Sequence, residues 1–147
     1  MRFANKVVIV TGGASGIGEA AVRRFAAEGA SVVIADIRPD ALARIAGDLG
    51  REKHRTVEVD MLDPAAIDRM IDETVDRFGR IDTLVNNAGM GSFGRVTEID
   101  LDHWRQVMGI DVEAVFWASR QAIPHLSRVG GSIVNVASAS GMAADYG

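Results

Sequence analysis

At 147 residues the chain has room for one domain with a core of useful size, and 48% hydrophobic with 24% charged residues marks a folded protein rather than a disordered one. A net charge of -4 leaves no electrostatic footprint for nucleic acid. With no cysteine there is no disulfide framework, thiolate metal site or cysteine nucleophile, and the expected compartment is the reducing cytoplasm.

The N-terminus turns apolar for only a few positions before Thr11, so neither a secretory signal nor a membrane span is expected. Residues 6–10 are β-branched and almost wholly apolar, the pattern of a strand buried on both faces of a parallel sheet. A glycine-rich turn follows, then a helix predicted from Ile17, Ala21, Phe25 and Ala26 and closed by Gly29. Residues 31–35 give a second buried strand ending at Asp36. Leu42, Ile45 and Leu49 mark a second helix between Pro39 and Gly50. A short third strand, 56–59, ends at Asp60. The next helix has Asp63 as N-cap, Pro64 in its first turn and Gly79 after its end. Residues 81–85 form a fourth strand running into Asn86-Asn87-Ala88-Gly89. One long helix is predicted over 100–126, with Trp104, Met108, Val115 and Ala122 on one face and a bend or frayed turn at Pro124. Residues 132–136 are a fifth strand, leading to Ser138.

Strand and helix alternating to a fifth strand is the pattern of an open parallel sheet wrapped on both faces. Right-handed crossovers leave few topologies. The order 3-2-1-4-5 of a doubly wound sheet is expected.

The run Thr11-Gly12-Gly13-Ala14-Ser15-Gly16-Ile17-Gly18 lies between a buried strand and a helix start. Glycines there let backbone N–H groups approach a pyrophosphate at the helix N-terminus. Asp36 stands at the end of the next strand, where a carboxylate accepts hydrogen bonds from the ribose hydroxyls of a dinucleotide. A 2′-phosphate beside Asp36 would bring like charges together, and no Lys or Arg sits inside the turn to offset them. NAD is therefore expected over NADP, with Arg38 read as a surface arginine.

The spacing Gly12, Gly16, Gly18 departs from GxGxxG and, as TGxxxGIG, resembles the short-chain dehydrogenase/reductase family. Asn86-Asn87-Ala88-Gly89 matches that family's NNAG element, Asp60 its Asp after the third strand, and 131–138 the strand that delivers a catalytic serine. The resemblance implies a Rossmann-type dinucleotide-binding domain over 1–147. Gly12, Ser15, Gly16, Ile17 and Gly18 would meet the pyrophosphate side of NAD, and Asp60 and Met61 the adenine. Asn87, Ala88 and Gly89 would line the cleft; asparagines are also ordinary turn residues, and here they are expected to serve both ends.

The resemblance further implies hydride transfer between nicotinamide and a small alcohol or ketone. Ser138 matches the family's serine, which holds the substrate oxygen; a serine at a strand end is otherwise unremarkable. Ser140 falls two residues off the match. Asp111 takes the place of the family's asparagine, within the expected apolar stripe, where burial would raise its pKa and weaken a water relay. The family's Tyr-x-x-x-Lys pair is missing: Tyr146 is the single tyrosine, and the lysines are Lys6 and Lys53. The expectation is therefore a domain incomplete at its C-terminus, its sheet truncated after the fifth strand, with Ile133, Val134 and Val136 on an edge with one uncovered apolar face. Such a chain would be inactive alone, and a complete form would be a homo-oligomer through the long helix. The alternatives are a non-catalytic NAD-binding module and a fragment that folds only with a partner.

Overall fold

The computed structural model describes residues 1–50 and 52–139. Five strands, β1 (Val7–Thr11), β2 (Ser31–Asp36), β3 (His54–Glu58), β4 (Thr83–Asn86) and β5 (Ser132–Asn135), form one sheet. Its order is β3-β2-β1-β4-β5, and every pairing is parallel. This is the doubly wound, Rossmann-type sheet expected.

Three helices, α1 (Gly16–Ala27), α2 (Pro39–Leu49) and α3 (Pro64–Phe78), connect the first four strands. Their ends follow the local chemistry. The Asp63 carboxylate accepts the Ala65 amide and Pro64 opens α3, while Gly79 leaves it in the left-handed region at φ 75°.

The sheet separates two apolar clusters because neighbouring strand residues point to opposite faces. Val8, Val10, Val32 and Ile34 pack with Val22 of α1 and Leu42 and Ile45 of α2. Ile9, Val33 and Ala35 pack on the other face with Ile67, Met70 and Ile71 of α3.

The predicted long helix is present as one uninterrupted helical run over 101–126, with a π-helical turn inside it. Its parts are α4 (Leu101–Met108), a π-helical stretch (Gly109–Glu113) and α5 (Ala114–Leu126). Of the face predicted to be apolar, Ala122 is buried and Trp104 and Met108 are exposed. Ala114, Ala118, Ala122 and Leu126 meet the core, whereas Trp104 is 52% exposed. Small side chains spaced by four let α5 lie close over the sheet and α3, and the Trp117 indole donates to Asp68 of α3 at 2.9 Å. Pro124 does not fray the end, since the Ser127 amide still reaches the Ile123 carbonyl at 2.9 Å. α1 is likewise corrected at one position: Ile17 is 71% exposed, and Gly18 and Val22 are its buried residues.

Among the described residues β5 pairs only with β4, leaving Val134 and Val136 nearly half exposed; Ile133 packs against the core.

Candidate functional site

β1 and β4 are neighbours in the sheet, yet the chain leaves β1 toward one side and β4 toward the other. Their carboxyl ends therefore open into a crevice, the place where doubly wound sheets bind ligands. A cleft of about 500 Å³ lies there.

The glycine loop forms one wall. Gly12 and Gly16 take φ of 60° and 53°, a region that L side chains rarely adopt. Gly18 is needed for a second reason: a Cβ there would collide with the Gly12 carbonyl oxygen and the Asn87 Nδ2. The three glycines thus bring the N-terminus of α1 flush with the loop and present backbone N–H groups to the cleft.

The loop is tied to the turn after β4. Buried Thr11 accepts both the Asn87 and the Ala88 amide on its Oγ1, each at 3.0 Å. In return Asn87 Nδ2 donates to the Thr11 and Gly12 carbonyls at 3.0 and 3.2 Å. Asn87 is therefore a turn residue and a cleft residue together. Asn86 turns inward instead, donating to Asn135 of β5 at 2.8 Å and Ser119 of α5 at 3.2 Å.

Asp36 closes the far end of the cleft. Its carboxylate is buried, accepting the Ala14 amide on Oδ2 and the Arg38 amide on Oδ1, both at 3.1 Å. Arg38 adds a fork, Nε to Oδ1 at 2.9 Å and Nη2 to Oδ2 at 3.0 Å. Burial alone would push the Asp36 carboxyl up. The bonds from the Arg38 guanidinium and the two amides outweigh it and hold the group below the ordinary aspartate value. Arg38 is half exposed, but it is not the idle surface arginine expected, because its Nη2 also donates to Ser15 Oγ at 2.7 Å.

The structure brings Gly12, Ser15, Gly16, Ile17, Asp36, Asp60 and Met61 together with Asn87, Ala88 and Gly89 around this one cleft. Gly18 lies beneath it. Asp60 is exposed and its carboxylate accepts the Leu62 amide at 2.9 Å, a turn contact at the strand end. Three wall residues, Ile37, Val59 and Ile110, are not among the expected site residues, and Thr11, the first residue of the TGxxxGIG run, supports the cleft from beneath.

Asp111 and Ser138 stand outside that lining. Asp111 lies in the π-helical stretch, exposed rather than in an apolar stripe, and accepts the Met90 amide at 2.9 Å. The burial on which its expected behaviour depended is absent. Its Oδ1 lies 3.3 Å from where a Gly89 Cβ would be, so it borders the cleft turn. Ser138 is exposed just beyond β5. Ser140 and Tyr146 lie outside the described residues. Among the described residues no group of three His, Cys, Asp or Glu side chains is placed to hold a metal ion, and no helix is long and apolar enough to cross a membrane.

Fold and crevice together define a doubly wound α/β protein with a cleft at the switch between β1 and β4. The short chain dehydrogenase family matches residues 6–146, and the chain belongs to that family of oxidoreductases. It is 46% identical over 147 residues to the meso-2,3-butanediol dehydrogenase of Serratia marcescens, covering 100% of this chain and 59% of that protein. The 3beta-hydroxysteroid dehydrogenase 2 of Eggerthella lenta is 37% identical over 150 residues, 99% of this chain and 58% of its own length. Among solved structures, a 3-ketoacyl-(acyl-carrier-protein) reductase from Brucella melitensis complexed with NADH superposes with a TM-score of 0.89 at 34% identity, over 93% of this chain and 59% of that one. A doubly substituted mutant of a Serratia marcescens short-chain dehydrogenase/reductase reaches 0.94 at 33% identity, over 100% of this chain and 61% of that one. The chain thus spans 54–59% of the length of the curated relatives it matches.

Proposed function

We propose that this chain supplies the cofactor half of an NAD-dependent oxidoreductase that interconverts a small alcohol and a ketone. The observation that carries the reading is the convergence of three groups on one cleft: the positive-φ glycine loop, the N-terminus of α1 and the buried Asp36 carboxylate. A pyrophosphate suits the N–H groups at the helix start, and a ribose diol suits the carboxylate. The residues present therefore fit a dinucleotide. We take NAD over NADP because a 2′-phosphate would lie against Asp36.

When bound, the nicotinamide supplies the two-electron hydride chemistry. The chain's own groups bind and orient: Gly12, Ser15, Gly16, Ile17 and Gly18 at the pyrophosphate, Asp60 and Met61 toward the adenine, and Asn87, Ala88 and Gly89 along the inner wall. Ser138 is our candidate to hold the substrate oxygen. Asp111 accepts the Met90 amide, so we assign it support of the cleft turn in place of an amide's donor role. We assign these 147 residues cofactor binding rather than the proton transfer that completes turnover.

Calorimetry of NAD against the purified chain and an Asp36→Ala variant tests the reading. Saturable binding that the substitution weakens by roughly tenfold or more supports it. Binding unaffected by the substitution sinks the assignment of Asp36.

A homo-oligomer is part of the proposal. Leu101, Trp104, Val112, Phe116 and Ile123 are each at least half exposed and recur at helical spacing along α4, the π stretch and α5. A continuous apolar stripe of this kind is an interaction surface more often than a solvated one.

A further inference from the structure

The Asp36 carboxylate has room for roughly four hydrogen-bond donors on its two oxygens. All four places are taken within the chain. The Ala14 and Arg38 amides hold one place on each oxygen, and the Arg38 side chain holds the second place on each, at 2.9 and 3.0 Å. The amides are fixed by the backbone around the glycine loop and the start of α2. The guanidinium is half exposed on a flexible stem and can leave. A vicinal diol donates two hydrogen bonds, the number that the departing fork would release.

We propose that Arg38 is an internal occupant of the ribose subsite, an affinity- and specificity-setting residue that a dinucleotide must displace from Asp36. The inference rests on the dinucleotide reading given above. Its consequence for affinity is direct, since binding must first break the fork, and the apparent Kd for NAD carries that penalty. Its consequence for specificity follows from where the displaced guanidinium goes. Arg38 already reaches Ser15 Oγ at 2.7 Å, on the glycine-loop side of the same cleft. A 2′-phosphate arriving beside Asp36 brings its own acceptors for the freed fork, and planar Arg–phosphate pairing is among the stronger charge-assisted contacts. A 2′-hydroxyl gains nothing comparable. Arg38 therefore weakens NAD binding and softens discrimination against NADP at once, and the two effects share one side chain.

The test is calorimetric titration of NAD and NADP into the wild-type chain, Arg38→Ala and Arg38→Lys. Arg38→Ala is expected to lower the Kd for NAD roughly three- to tenfold and to leave NADP unchanged or weaker, widening the ratio between them. Arg38→Lys removes the fork but keeps the charge, so NAD binding tightens while NADP binding stays near the wild-type value. An unchanged or raised Kd for NAD in Arg38→Ala, or an unchanged NAD-to-NADP ratio, overturns the inference while leaving the dinucleotide reading intact. A wild-type chain that is folded by circular dichroism and melts cooperatively, yet binds neither nucleotide, removes that reading, and the inference falls with it.

Discussion

Thr11 shows how much of the cleft depends on one hydroxyl. It accepts two amides from the turn after β4, and those amides come from residues 76 and 77 positions away in the chain. Thr11→Val keeps the shape and removes the acceptor, leaving both N–H groups without a partner, which is expected to cost roughly 1–3 kcal/mol. Urea denaturation checks this, with Thr11→Ser expected near wild type; a valine variant as stable as wild type would show that water replaces the hydroxyl. Such a role was not legible in the sequence, because a threonine at a strand end looks alike whether or not distant amides meet it. The glycines and Asp36 were legible because their chemistry is local: loop, helix start and the end of the next strand follow in order. The pairing of Arg38 is not legible for the opposite reason, since an arginine two residues past a buried aspartate is as ordinary on a surface as in a pair.

At the scale of elements, α1 and α2 are joined on the outside by charge as well as by the apolar cluster beneath them. Glu19 of α1 accepts from Arg44 of α2 at 2.9 and 2.5 Å and from Arg23 of its own helix at 2.9 and 2.8 Å, and Arg23 continues to Asp48 of α2. Hydrogen bonds from Arg44, then Arg23, hold the Glu19 carboxyl down at about 2. A carboxylate whose folded pKa is depressed stabilises above its unfolded value and loses that contribution as pH falls through the folded one. The melting temperature should therefore drop as pH falls from about 4.5 to about 2, and Glu19→Gln should flatten that part of the profile by roughly a few degrees. A variant with the wild-type slope would assign the loss to other carboxylates. Periodicity and caps located the strands and the first three helices to within a few residues. The π turn inside the helix over 100–126 is not legible, because a π segment changes hydrogen bonding without changing composition. Large apolar residues point to the wrong face there: beside the expected Ala122, it is Ala114, Ala118 and Leu126 that meet the core.

For the whole molecule, the apolar stripe along α4 and α5 carries the expectation of self-association. Phe116→Asp, on that stripe and 61% exposed, should leave the fold intact and reduce the mass seen in sedimentation to that of one chain. A wild-type protein that sediments as one chain at micromolar concentration would count against the surface. The topology was read correctly from the alternation of elements, since handedness and short connections leave the sheet few alternatives.

The sheet's two faces also differ in when they can be covered during synthesis. Apart from Val85, the cluster over Val8, Val10, Val32 and Ile34 is built from residues that have all been synthesised once Leu49 is made. Ile9, Val33 and Ala35 on the reverse face wait for α3 and then for Ala114, Ala118, Ala122 and Leu126. At ordinary rates of translation that interval is on the order of several seconds. A nascent chain would spend it half-dressed, with one side of its sheet sealed and the other offered to chaperones.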